Sequence, residues 1–154
     1  MISFGIEQHE VYYLDLADPT GDLSLIQHRE KGIRYDFEHR DGVFYIVTNV
    51  DGASNSKVVT APATDPSRAN WKDFVPHRPD VKLYGIDVFQ NYIVRYERVE
   101  GIRQIVIMNL QDNSEHQIEM HEPVYTTSGG TNLEFETDVL RFGYTSLTLS
   151  LIHI

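Results

Sequence analysis

Residue types that bind metals gather in one short segment, where His116 and His121 stand among Glu115, Glu119 and Glu122. Imidazole and carboxylate groups are common zinc ligands, so this segment is the first place to look for metal chemistry. Along a strand, however, residues five positions apart point to opposite faces, which keeps the two imidazole rings from sharing one ion. We therefore interpret the segment as a solvated outer strand and predict neither a metal site nor a cofactor.

A nucleophile of the serine-hydrolase kind needs a Gly-x-Ser-x-Gly turn, which exposes the serine hydroxyl between a strand and a helix. The sequence contains no such pattern, and its nearest approach, Ser128–Gly130, is predicted to be a flexible loop. His77 and Arg78 stand between two prolines, which indicates a rigid turn, and Trp71 is interpreted as core packing. We expect no catalytic residue in this chain.

Acidic side chains recur at alternate positions of segments that read as strands. Asp36 and Glu38 form one such pair, Glu134 and Glu136 form another, and Asp87 lies in a third strand. Alternation sends the members of each pair to one face. If these faces line a common channel, their charge would attract basic peptides through focused field lines. The alternative is that all five are ordinary solvated strand residues.

Composition narrows the classes of protein and partner. The chain has 154 residues, 41% of them hydrophobic, which suits one globular domain. A formal net charge of −10 argues against nucleic acid and favours basic partners, or simply solubility. No apolar run is long enough to cross a bilayer, so we expect no membrane partner. The absence of cysteine fits a reducing compartment, and we expect a cytoplasmic protein.

Residues 33–79 read as one complete unit of four antiparallel strands. Its first strand alternates apolar and polar residues, and Asp41-Gly42 then predicts a hairpin turn. The second strand is almost entirely β-branched or aromatic, which indicates burial on both faces. The four predicted strands are Ile33–His39, Val43–Thr48, Lys57–Ala61 and Trp71–Val75.

The rest of the chain looks like parts of the same unit. Residues 1–28 are predicted to end one unit, residues 81–121 to form a complete one, and residues 131–148 to begin another. The strands predicted in these three segments are Glu10–Leu16, Leu23–Gln27, Val81–Phe89, Tyr92–Arg98, Arg103–Asn109, Glu115–Met120, Asn132–Asp138 and Leu140–Thr145.

Equivalent residues recur at a spacing of about 48 positions, as Tyr96 and Tyr144 illustrate. An all-β chain with a four-stranded repeat of that length is typical of a β-propeller. We predict a partial β-propeller of about three four-stranded antiparallel blades, with a β-sandwich as the alternative. Because an incomplete set of blades leaves apolar faces exposed, we also expect low stability or self-association.

The last residues, Leu149–Ile154, match what one reading frame of a transposon end used in preparing sequencing libraries would encode. We interpret residues 149–154 as a non-native tail and expect the natural gene to continue after about Thr148. A natural apolar edge strand is the alternative.

Several segments, taken in order, resemble the propeller of the prolyl oligopeptidase family of serine peptidases. The likeness is strongest to the oligopeptidase B branch, on the Thr-Asn, Ala-Pro and Pro-His-Arg pieces. It covers essentially the whole chain up to Leu147 and contains no catalytic signature. The segments that carry it are Tyr12–Leu16, Phe44–Asn49, Lys57–Pro62, Trp71–Arg78 and Phe142–Leu147.

This resemblance implies a seven-bladed propeller that caps an α/β-hydrolase domain and keeps folded proteins from the active site. The family's catalytic serine, aspartate and histidine would lie beyond Leu147. The implied partners are that hydrolase domain, the remaining blades, and basic peptides cleaved after Lys or Arg. A non-catalytic β-propeller that serves as a binding or scaffold module is the alternative from another class.

Overall fold

The computed structural model describes residues 2–5 and 8–147. The chain divides after Arg78 into two compact units, which we call unit 1 (residues 1–78) and unit 2 (residues 79–154). Strands dominate both units, and the helical content of the described residues consists of two short 3-10 turns, Val50–Gly52 and Arg68–Asn70. In the described part of the chain, no helix has the length and apolar character needed to span a membrane.

Unit 1 contains two antiparallel sheets. Strands β1, β2 and β3 form a three-stranded sheet in that order, and β4, β5, β6 and β7 form a four-stranded sheet in that order. The strands are β1 Ile2–Gly5, β2 Gln8–Tyr13, β3 Ser24–Gln27, β4 Tyr35–Arg40, β5 Val43–Thr48, β6 Lys57–Pro62 and β7 Lys72–Val75.

The β4–β5 hairpin shows how turn chemistry fixes the register of a sheet. Asp41 and Gly42 adopt φ values of 49° and 74°, the left-handed region that a two-residue turn of this type requires. Arg40 therefore pairs with Val43, and the register runs without a break to Tyr35 and Thr48.

The two sheets of unit 1 pack face to face through one apolar core. Ile26 of β3 packs against Phe44 and Ile46 of β5, and Tyr35 and Val59 extend the same cluster. Aromatic edges interlock there: the Tyr13 and Phe44 rings lie 5.4 Å apart at a steep angle. Each sheet thus covers an apolar face of its neighbour.

Unit 2 repeats the pattern. Strands β8 to β11 form a four-stranded antiparallel sheet in chain order, and β12 and β13 form a separate two-stranded sheet. The strands are β8 Val81–Val88, β9 Tyr92–Val99, β10 Ile102–Asn109, β11 Glu115–Gln117, β12 Tyr125–Gly129 and β13 Phe142–Ser146.

The core of unit 2 again joins consecutive sheets. Phe89, Val94 and Ile105 are buried, and Leu140 and Phe142 from the start of the next sheet pack against them. Both four-stranded sheets are thus antiparallel in chain order and stack on the strands next to them in sequence. This arrangement confirms the predicted all-β class.

One predicted strand is wrong. Residues 132–138 form no strand, and the partner of β13 is Tyr125–Gly129. Ser128 and Gly129 therefore lie in a strand and not in the predicted flexible loop. The segment 130–141 is instead a long loop (hereafter the β12–β13 loop). Asn132 holds it closed, accepting from Arg141 N at 2.8 Å and donating to Arg141 O at 3.0 Å.

Two further strands end earlier than predicted, at Tyr13 in place of Leu16 and at Gln117 in place of Met120. Strand β2 ends at Tyr13 because Asp15 begins a turn, in which Asp18 N donates to Asp15 O at 3.1 Å. Strand β11 ends at Gln117. The predicted non-native tail, residues 149–154, lies outside the described residues.

Candidate functional site

The first pair of predicted channel acids lies on an edge strand. Asp36 and Glu38 are exposed at alternate positions of β4, the outermost strand on one side of its sheet. Their cross-strand partners on β5, Val47 and Tyr45, are buried. The pair therefore presents two carboxylates on one face of β4, as the alternation predicted.

Asp87 is the third predicted acid, and it has a structural role. It lies on β8, the edge strand of the second four-stranded sheet, and is half-buried. Its carboxylate accepts a hydrogen bond from the Tyr96 hydroxyl at 2.7 Å and another from Asn132 Nδ2 at 3.3 Å. Burial, followed by the hydrogen bond to Asp87, raises the pKa of Tyr96 far above its ordinary value. Asp87 thus anchors the β12–β13 loop to the sheet.

The last pair, Glu134 and Glu136, does not lie on a strand as predicted. Both residues are exposed in the β12–β13 loop, which folds back so that Gln90 N donates to Phe135 O at 3.0 Å. Glu134 lies 3.8 Å from Arg141, and both side chains are more than half exposed. The alternation of this segment therefore does not place its acids on a strand face.

The histidines of the segment 115–122 are exposed as expected, but one of its glutamates, Glu115, is paired with a buried arginine. His116 and His121 are exposed. Glu115 does not point freely to solvent, because it receives two hydrogen bonds from the buried Arg95, at 2.6 and 2.7 Å. Among the residues whose side chains the structure describes, no group of three or more His, Asp or Glu is placed to hold a metal ion.

The other candidates have structural surroundings. His77 Nε2 accepts a hydrogen bond from Asn55 N at 3.3 Å, which ties the proline-flanked turn to the β5–β6 connection. Trp71 donates to Pro66 O at 2.9 Å, and its ring meets Tyr35 edge-on at 6.2 Å. The interpretation of Trp71 as core packing is confirmed.

A buried charged cluster was missed by the sequence reasoning. Arg95, in the middle of β9, is 2% exposed, and its Nε lies 2.8 Å from Glu97, which is 2% exposed as well. Burial opposes the charge of Arg95, but the hydrogen bonds to Glu115 and the charge of Glu97 outweigh it and raise the pKa of the guanidinium. The cluster links β9 to β11 across the intervening β10. Its sequence signal is an arginine and a glutamate at alternate positions inside a strand, Arg95 and Glu97 of β9.

Comparison with known proteins identifies the family to which this architecture belongs. The profile of the prolyl oligopeptidase N-terminal β-propeller domain matches residues 1–149. The dipeptidyl aminopeptidase BI of Pseudoxanthomonas mexicana is 35% identical over 132 residues, which are 86% of this chain and 18% of that protein. Protease 2 of Moraxella lacunata is 29% identical over 90% of this chain and 19% of its own length.

Solved structures agree with the sequence comparison. Oligopeptidase B from Leishmania major superposes with a TM-score of 0.83 at 33% identity, over 95% of this chain and 22% of that chain. Oligopeptidase B from Trypanosoma brucei gives the same TM-score at 26% identity. The chain spans about a fifth of the length of the relatives it matches. The four antiparallel sheets are part of a β-propeller, and the chain belongs to the prolyl oligopeptidase family.

Proposed function

We propose that this chain is the propeller part of a serine peptidase that hydrolyses short peptides. The match of residues 1–149 to the propeller domain of the family carries this proposal. The chain spans about a fifth of the relatives' length and has no Gly-x-Ser-x-Gly turn in its sequence. We infer that an α/β-hydrolase domain of the whole protein supplies the serine, aspartate and histidine of a catalytic triad.

The propeller's role in this proposal is to admit short peptides and exclude folded proteins. A set of packed sheets around a narrow passage excludes folded domains by size, while extended peptides enter. Together with the remaining blades, the sheets described above would form that passage. They contribute no group to the cleavage of the peptide bond.

We also propose, from the acidic residues of the chain, that the enzyme prefers peptides that contain Lys or Arg. Asp36 and Glu38 present two exposed carboxylates on one edge strand, and the whole chain carries a net charge of −10. Confined fields of one sign raise the local concentration of oppositely charged ligands and their rate of capture. Asp87 contributes less to such a field, because it is half-buried and accepts hydrogen bonds from Tyr96 and Asn132, whereas Asp36 and Glu38 are exposed.

The test uses the protein encoded by the complete reading frame that contains this sequence. A D36N/E38Q variant should lower kcat/KM for a lysine-containing peptide by about threefold or more at low salt, and have little effect at physiological salt. The same peptide with norleucine in place of lysine should be insensitive to the variant. The matched control is D22N/E119Q, which removes two exposed acids outside the edge strands.

Three outcomes separate the parts of the proposal. Unchanged low-salt kinetics in D36N/E38Q would refute the capture of basic peptides while leaving the peptidase assignment in place. Hydrolysis of folded proteins as fast as of short peptides would refute the size filter. A reading frame without a hydrolase domain would favour the alternative, a non-catalytic binding or scaffold module.

A further inference from the structure

Three basic residues form a row across three neighbouring strands of unit 2. Lys82 of β8 pairs with Arg98 of β9, and Arg98 pairs with Arg103 of β10. Directly paired residues of antiparallel strands project from the same face, so the three cations lie side by side. Like charges directly opposite one another destabilise a sheet, so the contacts of the two arginines need to be considered.

The ring of Tyr84 contacts both arginines of this row. Its ring is 43% exposed, and the guanidinium carbons of Arg98 and Arg103 lie 5.7 and 4.7 Å from the ring centroid. Contacts of this kind stabilise each guanidinium over the ring and hold its planar face in place. We call Tyr84, Arg98 and Arg103 the arginine cradle.

The two arginines differ from most others in this acidic chain. Arg95 is paired with Glu97 and Glu115, and Arg68 with Glu30 and Asp51. By contrast, none of the residues that the structure describes places a carboxylate within ion-pair distance of Arg98 or Arg103. The chain has 23 acidic residues and 13 basic ones, so two adjacent arginines with no acidic partner among the described residues indicate a binding site for an external anion.

A cavity of about 200 Å³ opens beside the cradle. Arg103 lies in its wall and donates one hydrogen bond, from Nη1 to Thr127 O at 3.3 Å. A guanidinium has five donors, so most of the fork of Arg103 remains for a ligand. The remaining lining is formed by Tyr84, Gly85, Tyr96, Glu97, Gln104, Thr127, Ser128 and Gly129.

Two acids face this region from the packed strands, and both are already engaged. The Glu97 carboxylate accepts from Arg95 Nε at 2.8 Å, and Asp87 accepts from Tyr96 and Asn132. Their charges are therefore partly neutralised or held by donors. The groups that remain for a ligand are the two guanidiniums and, in the cavity wall, the hydroxyl of Ser128.

We propose that the arginine cradle binds a carboxylate group carried by an acidic peptide segment. A guanidinium presents parallel N–H donors that match the two oxygens of a carboxylate, and Tyr84 supplies a flat surface for the adjoining chain. Charge complementarity selects this occupant, because the two guanidiniums at Tyr84 form a local basic site in a chain whose net charge is −10. The proposal is independent of the proposed peptidase function, because it concerns binding to these three side chains alone.

The test measures binding of a dye-labelled hexaglutamate peptide to the protein encoded by the complete reading frame that contains this sequence, by fluorescence anisotropy at fixed ionic strength. Hexaglutamine carries the same label as the uncharged control. We expect hexaglutamate to bind and hexaglutamine not to bind. R98Q/R103Q should weaken binding by about tenfold or more, because two charge-assisted hydrogen-bonding groups are lost. K31Q/R34Q removes two exposed cations from unit 1 and should change the affinity less than twofold.

A lysine variant and two competitors complete the experiment. R98K/R103K keeps the charge and the sheet but loses the planar fork, so it should bind more weakly than the wild type; it also decides the matter if R98Q/R103Q fails to fold. Glutarate should displace the peptide more effectively than inorganic phosphate. The proposal would be overturned if hexaglutamate did not bind, or if R98Q/R103Q and K31Q/R34Q lost affinity equally. Wild-type affinity in R98K/R103K, or displacement by phosphate as effective as by glutarate, would also overturn it.

Discussion

In the sheet of β4 to β7 the second strand is apolar on both faces, whereas the second strand of β8 to β11 has a charged cluster at its centre. Phe44 and Ile46 of β5 point into one core, and Tyr45 and Val47 are buried on the other face. At the equivalent place in β9, Arg95 and Glu97 are 2% exposed and Ile93 lies beside them, fully buried. The two sheets share strand order and stacking, but the buried side chains of the second strand are apolar in β5 and include an ion pair in β9.

The difference shows what the four-stranded unit requires of its sequence. A buried strand must fill its space and leave no polar group unsatisfied, and an apolar run or a fully paired charge cluster meets both conditions. In the first sheet the bridging cation, Lys57, sits at the margin, with Asp73 at 2.8 Å and Asp51 at 3.3 Å, both more than half exposed. Lys57 is itself buried, but in the second sheet the cation and one of its acids, Glu97, are both 2% exposed, so removal of Arg95 should matter far more.

The largest expected effect comes from breaking the buried cluster. Arg95→Ala leaves Glu97 buried without its cation, and we expect the free energy of unfolding of the second sheet to fall by about 3–5 kcal/mol. Hydrogen exchange resolved by residue should show the loss in β8 to β11 and little change in β4 to β7. Loss of less than about 1 kcal/mol would mean that water or a rearranged partner replaces the guanidinium.

An apolar replacement of the whole cluster is the control for that experiment. The triple variant R95M/E97L/E115M removes all three charges together and should recover most of the stability lost in R95A. If the triple variant is as unstable as R95A, the cluster contributes more through its specific geometry than through mutual neutralisation.

The second effect concerns the apolar strand. Ile46 is fully buried in the core between the two sheets of unit 1, so Ile46→Ala should cost about 2–5 kcal/mol through lost burial and a cavity. Exchange should accelerate in β4 to β7 and also in β3, whose Ile26 shares the core. Protection in β3 that stays unchanged would contradict the face-to-face stacking of these sheets.

A third, smaller effect depends on pH and concerns Tyr96 of unit 2. Because burial and then Asp87 raise the pKa of Tyr96 above its ordinary value of 10.0, the folded chain holds the phenol proton more tightly than the unfolded chain. The contribution of Tyr96 is complete below pH 10 and is lost as the pH rises through the folded pKa. Tyr96→Phe should cost about 1–2 kcal/mol at neutral pH and flatten the alkaline loss of stability in unit 2. An alkaline loss of the same steepness in the variant would exclude Tyr96 as its source.

The smallest effect is expected for Lys57, the cation at the margin of the first sheet. Hydrogen bonds from Arg68 and then Lys57 lower the pKa of Asp51, so its contribution is present above the ordinary value of 3.8 and is lost as the pH falls through the folded pKa. Lys57→Met should cost less than about 1 kcal/mol at pH 7, since both of its acidic partners are more than half exposed. Urea denaturation at pH 7 and below pH 3.8 checks both statements. A cost at pH 7 as large as that of R95A would remove the contrast between the two sheets.

Local patterns were enough to predict most of the strands and their turns. Asp41-Gly42 predicted the β4–β5 hairpin, and Glu100-Gly101, with φ values of 50° and 87°, joins β9 to β10 in the same way. The β-branched and aromatic run of Val43–Thr48 predicted a strand buried on both faces, and five of its six residues are buried. These features depend on residues close together in the chain, which is why sequence patterns reveal them.

Features that depend on distant residues could not be predicted in this way. Strand β12 has the polar sequence Tyr-Thr-Thr-Ser-Gly with one buried residue, so it gives no alternation signal, and its pairing depends on β13 across a long loop. The burial of Arg95 depends on Glu115, which is 20 positions away. The alternation around Glu134 and Glu136 gave a false strand, because Asn132 and Gln90 draw that segment into a loop instead. The arginine cradle likewise arises only from the register of three strands.

The central claim is that this propeller segment serves a serine peptidase, and active-site labelling tests it most directly. The protein encoded by the complete reading frame is treated with a fluorophosphonate probe, whose phosphorus forms a bond to an activated serine oxygen as fluoride leaves. We predict covalent labelling at a single serine outside residues 1–147, abolished by its replacement with alanine together with the hydrolysis of short peptides. A complete protein that takes up no label and hydrolyses no peptide would contradict the account.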